Sequence, residues 1–173
     1  TAPLAPVLAF IGSKGGNGCT QLASNLAWLL ATEFGRDTVL ADLDLLWGDA
    51  SFYLGGGQAR HSLDQLAQQG PRLDNQLLQS SLHPVHARLH LLAAPSSPAL
   101  VRGITPTALA RVLTLARQRH QVLVLDLPRQ LDELTLQALQ LADKVFIVMR
   151  HRVPDVRNAQ RLMQIGRASC RER

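Results

Sequence analysis

Five short runs of this chain are apolar at almost every position: Val7 to Ile11, Thr38 to Leu43, Leu89 to Ala93, Val122 to Leu125 and Val145 to Met149. A strand with one wet face alternates apolar and polar residues, so an unbroken apolar run implies a strand buried on both faces, the habit of parallel sheets. The intervening segments keep helical spacing. Leu22, Leu26, Leu29 and Leu30 follow the first run, and Thr105-Pro106 opens a helix to about His120 with Leu109, Val112, Leu113 and Ala116 on one face. A further helix is expected from about Leu131 to Ala142, and two short helices with loops over a sheet edge from Gly55 to Pro84. The pattern predicts an α/β fold, a mostly parallel sheet covered by helices on both faces. Ligands of such sheets lie beyond the carboxyl ends of the strands. A glycine-rich loop, Asp42 with Asp44, and Asp126 all stand at those ends, so they are expected to converge.

The 173 residues suffice for one domain burying roughly 70% of its unfolded surface. No apolar run approaches the ~20 residues that span a bilayer, and no signal peptide is visible. The opening Thr-Ala-Pro-Leu-Ala-Pro reads as a linker over residues 1–6 from a preceding domain, with the main domain over 7–166. Residues 167–173 read as a tail without helical or strand period, such as a vector remnant. The two cysteines, Cys19 and Cys170, suggest neither a disulfide framework nor a zinc site, and fit a reducing cytoplasm. The net charge of +5 sits at the end: up to Asp143 there are ten Lys/Arg against eleven Asp/Glu, and from Lys144 onward eight against two. Arg150, Arg152, Arg157 and Arg161 lack interleaved aromatics and read as a solvated face, so DNA binding is not expected.

The chemistry is concentrated in three short motifs. In Ser13-Lys-Gly-Gly-Asn-Gly-Cys-Thr20, glycines at 15, 16 and 18 let backbone N–H groups point at phosphates without an intruding Cβ. The helix that follows aims its positive end at the anion, and Thr20 carries the hydroxyl such loops use for Mg²⁺. The pattern G-x-x-x-x-G-K-[ST] is missed at Ser13 and at Cys19, where the lysine belongs. Alone, the loop could be a tight connection. Asp42 and Asp44 could hold the Mg²⁺ shell or orient a water, or Asp42 could cap a loop while Asp44 alone faces the ligand. Asp126, ending a buried strand, fits a metal-facing carboxylate of the Walker B kind or a cap of the next turn.

With Lys14-Gly-Gly-Asn-Gly-Cys-Thr20, Asp42-Leu-Asp-Leu-Leu-Trp-Gly-Asp49 and Val124-Leu-Asp-Leu-Pro128 in this order, the chain resembles the ParA/MinD superfamily of deviant Walker A ATPases, P-loop NTPases of the SIMIBI class. Leu40 to Leu54, Leu92-Ala-Ala-Pro95, Asp126-Leu-Pro-Arg129 and Val153 to Ala159 look most like the CpaE/TadZ proteins of Flp-type (Tad) pilus assembly. The resemblance implies ATP and Mg²⁺ as cofactors, with Gly15, Gly16, Asn17, Gly18, Cys19, Thr20 and Gln21 around the nucleotide and Thr20, Asp44 and Asp126 around the metal. It makes Lys14 the lysine that reaches a partner subunit's phosphates in a nucleotide-sandwich homodimer, and Asp44 the residue that orients the attacking water. It further implies a receiver-like domain before the linker and elements of the fold missing after about Gly166. The expected setting is cytoplasmic, with recruitment to a cell pole, pilus assembly and secretion proteins as partners, and only indirect membrane association.

Cys19 departs from the superfamily. Losing one preorganised charge contact typically costs ~10²–10³ in rate, so weak or absent hydrolysis is expected while binding survives on loop amides, helix dipole and Mg²⁺. Cys19 is expected to stay neutral beside a triphosphate. The rival expectations are an active partitioning or division-site ATPase, and an interaction module whose loop is a relic.

Overall fold

The structure, a computed structural model, describes residues 4–55 and 61–170. Residues 1–3 of the expected linker, 56–60 of the Gly55–Pro84 segment and 171–173 of the expected tail lie outside them. Six strands, β1 (Val7–Gly12), β2 (Thr38–Asp42), β3 (His83–His86), β4 (Leu89–Leu92), β5 (Val122–Leu127) and β6 (Lys144–Val148), form one sheet in the order β3-β4-β2-β5-β1-β6. All neighbours are parallel except β3, which pairs antiparallel with β4.

The helices are α1 (Cys19–Thr32), α2 (Ala50–Tyr53), α3 (Leu63–Ala67), α4 (Asn75–Ser81), α5 (Pro98–Val101), α6 (Pro106–Arg119), α7 (Glu133–Leu141) and α8 (Val153–Cys170). Two apolar clusters lie on the sheet's two faces: one gathers residues of α3, α4, α6 and α7, the other residues of α1 and α2. None of the described helices is long and apolar enough to cross a membrane.

Local chemistry sets the helix ends. The Thr105 hydroxyl accepts from the Ala108 N–H at 3.1 Å with Pro106 just inside the helix, and the Asp132 carboxylate accepts from Thr135 N–H at 2.8 Å. Each such cap satisfies a donor left free by the first turn, typically for ~1 kcal/mol.

Four features differ from the sequence reading. The antiparallel β3 lies inside the segment expected to hold only helices and loops; His83-Pro-Val-His86 is too short and too polar to show a period. The leucine spacing in α1 marks its buried face only in part: Leu26 and Leu30 pack against the cluster from the margin. Ala23, Ser24, Ala27 and Ala31 face the sheet and let the helix approach closely, while Leu22 and Leu29 are exposed. The apolar run of β6 is not covered on both sides, because β6 is the sheet's edge strand and leaves Val145 and Phe146 partly exposed. Last, α8 continues to Cys170, past the expected end of the domain at Gly166. At the other end Ala5 is buried, with its carbonyl taking the Arg117 Nε–H at 2.7 Å, so the described part of the expected linker is docked on α6.

Candidate phosphate-binding site at the strand ends

The glycine loop runs from the end of β1 to the start of α1. Gly16 and Gly18 have φ of 75° and 82°, a left-handed backbone that any side chain would strain, and Gly18 stands immediately before α1. The first intrahelical bond joins Leu22 N–H to the Gly18 carbonyl, so the Cys19, Thr20 and Gln21 amides have no intrahelical partner and remain available to a ligand. Lys14, Gly15, Gly16, Asn17, Gly18, Cys19, Thr20 and Gln21 line one cleft of about 270 Å³, which Asp44, Pro128 and Arg129 close from the neighbouring strand ends. A second cleft of about 340 Å³, between the β2 end and α7, shares Gly15, Asp44, Pro128 and Arg129 with it.

The sheet register supplies the carboxylates. Asp42 on β2 stands opposite Asp126 on β5, and Asp126 opposite Phe10 on β1. Asp42 is committed to the backbone: its carboxylate accepts from Ala50 N–H at 3.0 Å and from Asp44 N–H at 3.3 Å. It folds the Asp44–Asp49 turn and leaves Asp44, half-buried, facing the cleft. Asp126 is buried, yet its Oδ2 has no hydrogen-bond partner. Burial raises the Asp126 pKa to about 6, against the pull of hydrogen bonds from Thr20 and Cys19. Burial likewise raises Asp42 to about 7, and raises Asp44, to which the charge of Asp49 adds. Three carboxylates held above their ordinary range, one with an orphaned oxygen beside a threonine hydroxyl, make a site that a hard divalent cation would relieve. The residues present therefore fit Mg²⁺ at Thr20, Asp44 and Asp126.

Cys19 occupies the first turn of α1, where a helix dipole lowers a thiol pKa. Here burial and then the Asp126 carboxylate push it far up, so the thiol is neutral even without a phosphate beside it. Lys14 and Arg129 are exposed on the cleft, and neither makes a hydrogen bond or ion pair among the described residues.

Sequence reasoning missed the brace behind the loop. Asp155 on α8 is buried at the loop's back. Its Oδ1 accepts from Asn17 Nδ2 at 2.7 Å and from the Ser13 hydroxyl at 3.3 Å, and these hydrogen bonds hold the carboxyl below the usual range. Ser13, at the position of the missing first glycine, is thus used as a donor, and the Asn17 amide ties the loop to α8 as a strut. Arg150, expected on a solvated face, donates from Nη2 to the Gly16 carbonyl. The only sequence signal was Asp155 just after Val153-Pro154 and Arg150 three residues before it; their partners lie more than a hundred residues away.

A phosphate loop between β1 and α1, with a carboxylate at the end of the neighbouring β5, defines the class: this is the P-loop NTPase fold. No protein-family profile matches the chain. The chain is 36% identical over 145 residues to the chromosome-partitioning ATPase Soj of Thermus thermophilus, a match covering 81% of this chain and 53% of Soj. The ParA family ATPase of Chlorobium tepidum superposes with a TM-score of 0.88 at 24% identity over 94% of this chain and 67% of that one. The MinD of Pyrococcus horikoshii, solved with Mg-ADP, does so with a TM-score of 0.78 at 20% identity, over the same shares. The chain is homologous to the ParA/MinD family of ATPases, and spans somewhat more than half the length of the curated relatives it matches.

Proposed function

We propose that this domain binds ATP with Mg²⁺, dimerises on it, hydrolyses it slowly or not at all, and serves as a positional scaffold for Flp/Tad-type pilus assembly and secretion. The observation that carries the nucleotide reading is the meeting of the left-handed glycine loop and α1 terminus with the unpartnered Asp126 Oδ2. The MinD structure with Mg-ADP supports the same cofactors. When bound, Mg²⁺ supplies charge neutralisation at the β- and γ-phosphate oxygens. The chain's own groups do the rest. Loop amides cradle the phosphates, Thr20 and Asp126 hold the metal, and Asp44 at the cleft orients water or the metal's shell. Asp155, through Asn17 and Ser13, keeps the cradle rigid.

The neutral Cys19 thiol supplies no positive charge where one is needed most. Roughly 3–4 kcal/mol of transition-state stabilisation is lost with one such contact, which accounts for a domain that holds nucleotide more than it turns it over. Lys14 of a second subunit is the replacement charge for binding. The pilus role rests on the likeness of the Leu40–Leu54 and Val153–Ala159 segments to the CpaE/TadZ branch. On this reading the protein works in the cytoplasm and is drawn to a cell pole by pilus assembly partners. A second reading, an active partitioning ATPase, is favoured by the 36% identity to Soj.

Two assays separate these readings. Thermal unfolding with and without ATP-Mg²⁺ tests the site, since a ligand bound only by the native state raises the midpoint; no shift at millimolar nucleotide makes the loop a relic. DNA binding across a salt series tests the partitioning reading, because phosphate contacts make affinity fall steeply with salt. Salt-dependent DNA binding with rapid turnover establishes that reading and removes the scaffold one.

A further inference from the structure

The amino ends of the strands hold a second group of polar side chains, on the opposite end of the sheet from the glycine loop. Asp37 immediately precedes β2, His90 lies in β4, and His120 closes α6. One ligand atom from each comes within 4.8 Å of the others. Asp37 Oδ1 stands 3.1 Å from His120 Nδ1 and 3.7 Å from His90 Nδ1. Among the described residues no other group of three His, Cys, Asp or Glu side chains converges in this way.

The three are fixed by separate, rigid elements. The Asp37 carbonyl accepts from Gln121 N–H at 2.8 Å and Val122 N–H at 3.2 Å, and its own N–H donates to Gln121 Oε1 at 2.9 Å. His90 is placed by its register opposite Val39, and His120 by its N–H bond to the Ala116 carbonyl at 3.1 Å. No cysteine takes part, so cysteine spacing carried no hint of it.

A simple ion pair does not account for the arrangement. The Nδ1 atoms of both rings are buried and without a hydrogen-bond partner, although the Asp37 oxygen is close enough to touch. The His120 side chain is only 2% exposed, so its lone Nδ1 is an expensive polar orphan. Asp37 is more open, at 38%, so the cluster is reached by solvent from its side.

We propose that Asp37, His90 and His120 form a binding site for a divalent transition-metal cation of the zinc type, with water as fourth ligand. Two imidazole nitrogens and one carboxylate oxygen are a ligand set such ions accept. Ligand atoms about 2.0–2.1 Å from a tetrahedral ion lie roughly 3.3 Å apart, between the two distances seen here. All three ligand atoms already lie within 4.8 Å of one another, so an ion closes the set by drawing the side chains together.

Gln79 completes the site. Its Nε2 lies 2.7 Å from His120 Nε2. Turning the amide over presents its oxygen, which accepts the Nε2–H and leaves the Nδ1 lone pair for the metal. The bound ion ties β2, β4 and the α6–β5 junction together, roughly 16 Å from the carboxylates at the other end of β2. It is therefore a clamp on the sheet independent of nucleotide.

The test is titration of the chain, without nucleotide, with Zn²⁺ and with Co²⁺, following heat and visible d–d absorption. One equivalent with a tetrahedral cobalt spectrum is expected. Asp37→Asn and His90→Ala, both checked for native far-UV circular dichroism, should each weaken binding more than about 100-fold, and Gln79→Ala roughly 10–100-fold. His61→Ala should change nothing. Histidine ¹⁵N spectra with Zn²⁺ should show the metal on Nδ1 of two rings. Absence of binding, binding unaffected by Asp37→Asn and His90→Ala, or binding lost only in Cys19→Ser each overturns the proposal.

Discussion

Gly48→Ala puts the packing of the glycine-loop end of the sheet to a quantitative test. A methyl carbon at Gly48 would stand 2.6 Å from Asp42 Oδ2, 2.8 Å from Asp42 Cγ and 2.7 Å from Ala94 Cβ. Ordinary contacts begin near 3.4 Å, so the buried Asp42 and the partly buried Ala94 must each retreat by several tenths of an ångström. Overpacking of this kind costs typically 1–3 kcal/mol. Asp42 cannot move freely, because Oδ2 also accepts the Ala50 N–H at 3.0 Å; weakening that bond adds about 1 kcal/mol. The expected loss is about 2–4 kcal/mol, read as a fall of roughly 1–2 M in the urea midpoint at unchanged slope. Ala94→Gly in the same chain should return part of the loss and not all, since the Asp42 contact remains. Because Asp42 shapes the turn that carries Asp44, ATP affinity should fall with stability. A loss under about 0.5 kcal/mol, the level of an ordinary surface change, would refute the reasoning.

Asp155→Ala should loosen the glycine loop from behind: lower thermal stability, faster amide exchange at Asn17 and Gly18, and weaker ATP binding, although the residue never faces the cleft. Equal ATP affinity in mutant and parent would show the brace to be irrelevant to binding. The pH dependence follows from the carboxylates. Asp126 near 6 and Asp42 near 7 hold protons in the native state that the unfolded chain, near 3.8, has released. Stability from them is therefore fully present below about 3.8 and is lost as pH rises through 6 to 7. For Asp126 alone the effect is on the order of 3 kcal/mol. Mg²⁺-ATP should flatten this slope and stabilise more at about pH 8 than at about pH 5; equal stabilisation at both would argue that no cation meets these groups.

How much of this was legible follows from the range of the interactions. Strand identity and parallel pairing could be read because burial on both faces marks β2 and β5 residue by residue. The convergence of Gly15–Gly18, Asp44 and Asp126 could be read because a parallel sheet gathers its carboxyl ends. The inward face of α1 could be read only in part: Leu26 and Leu30 pack at its margin, but the residues closest to the sheet are the small Ala23, Ser24, Ala27 and Ala31, while Leu22 and Leu29 turn out. The Asp155–Asn17–Ser13 brace and the Asp37–His90–His120 cluster could not be read. Each depends on side chains brought together by packing from distant parts of the chain, with no local period to announce it.

The central claim is that a P-loop with cysteine in place of its lysine still holds nucleotide. Equilibrium binding of ATP and ADP with Mg²⁺ to the parent and to Cys19→Lys, with hydrolysis followed in the same samples, tests it most directly. The account predicts that the parent binds ATP with little turnover and that lysine raises turnover by ~10²–10³. A folded parent that binds no nucleotide at millimolar concentration, or one that hydrolyses as fast as the lysine variant, would contradict it.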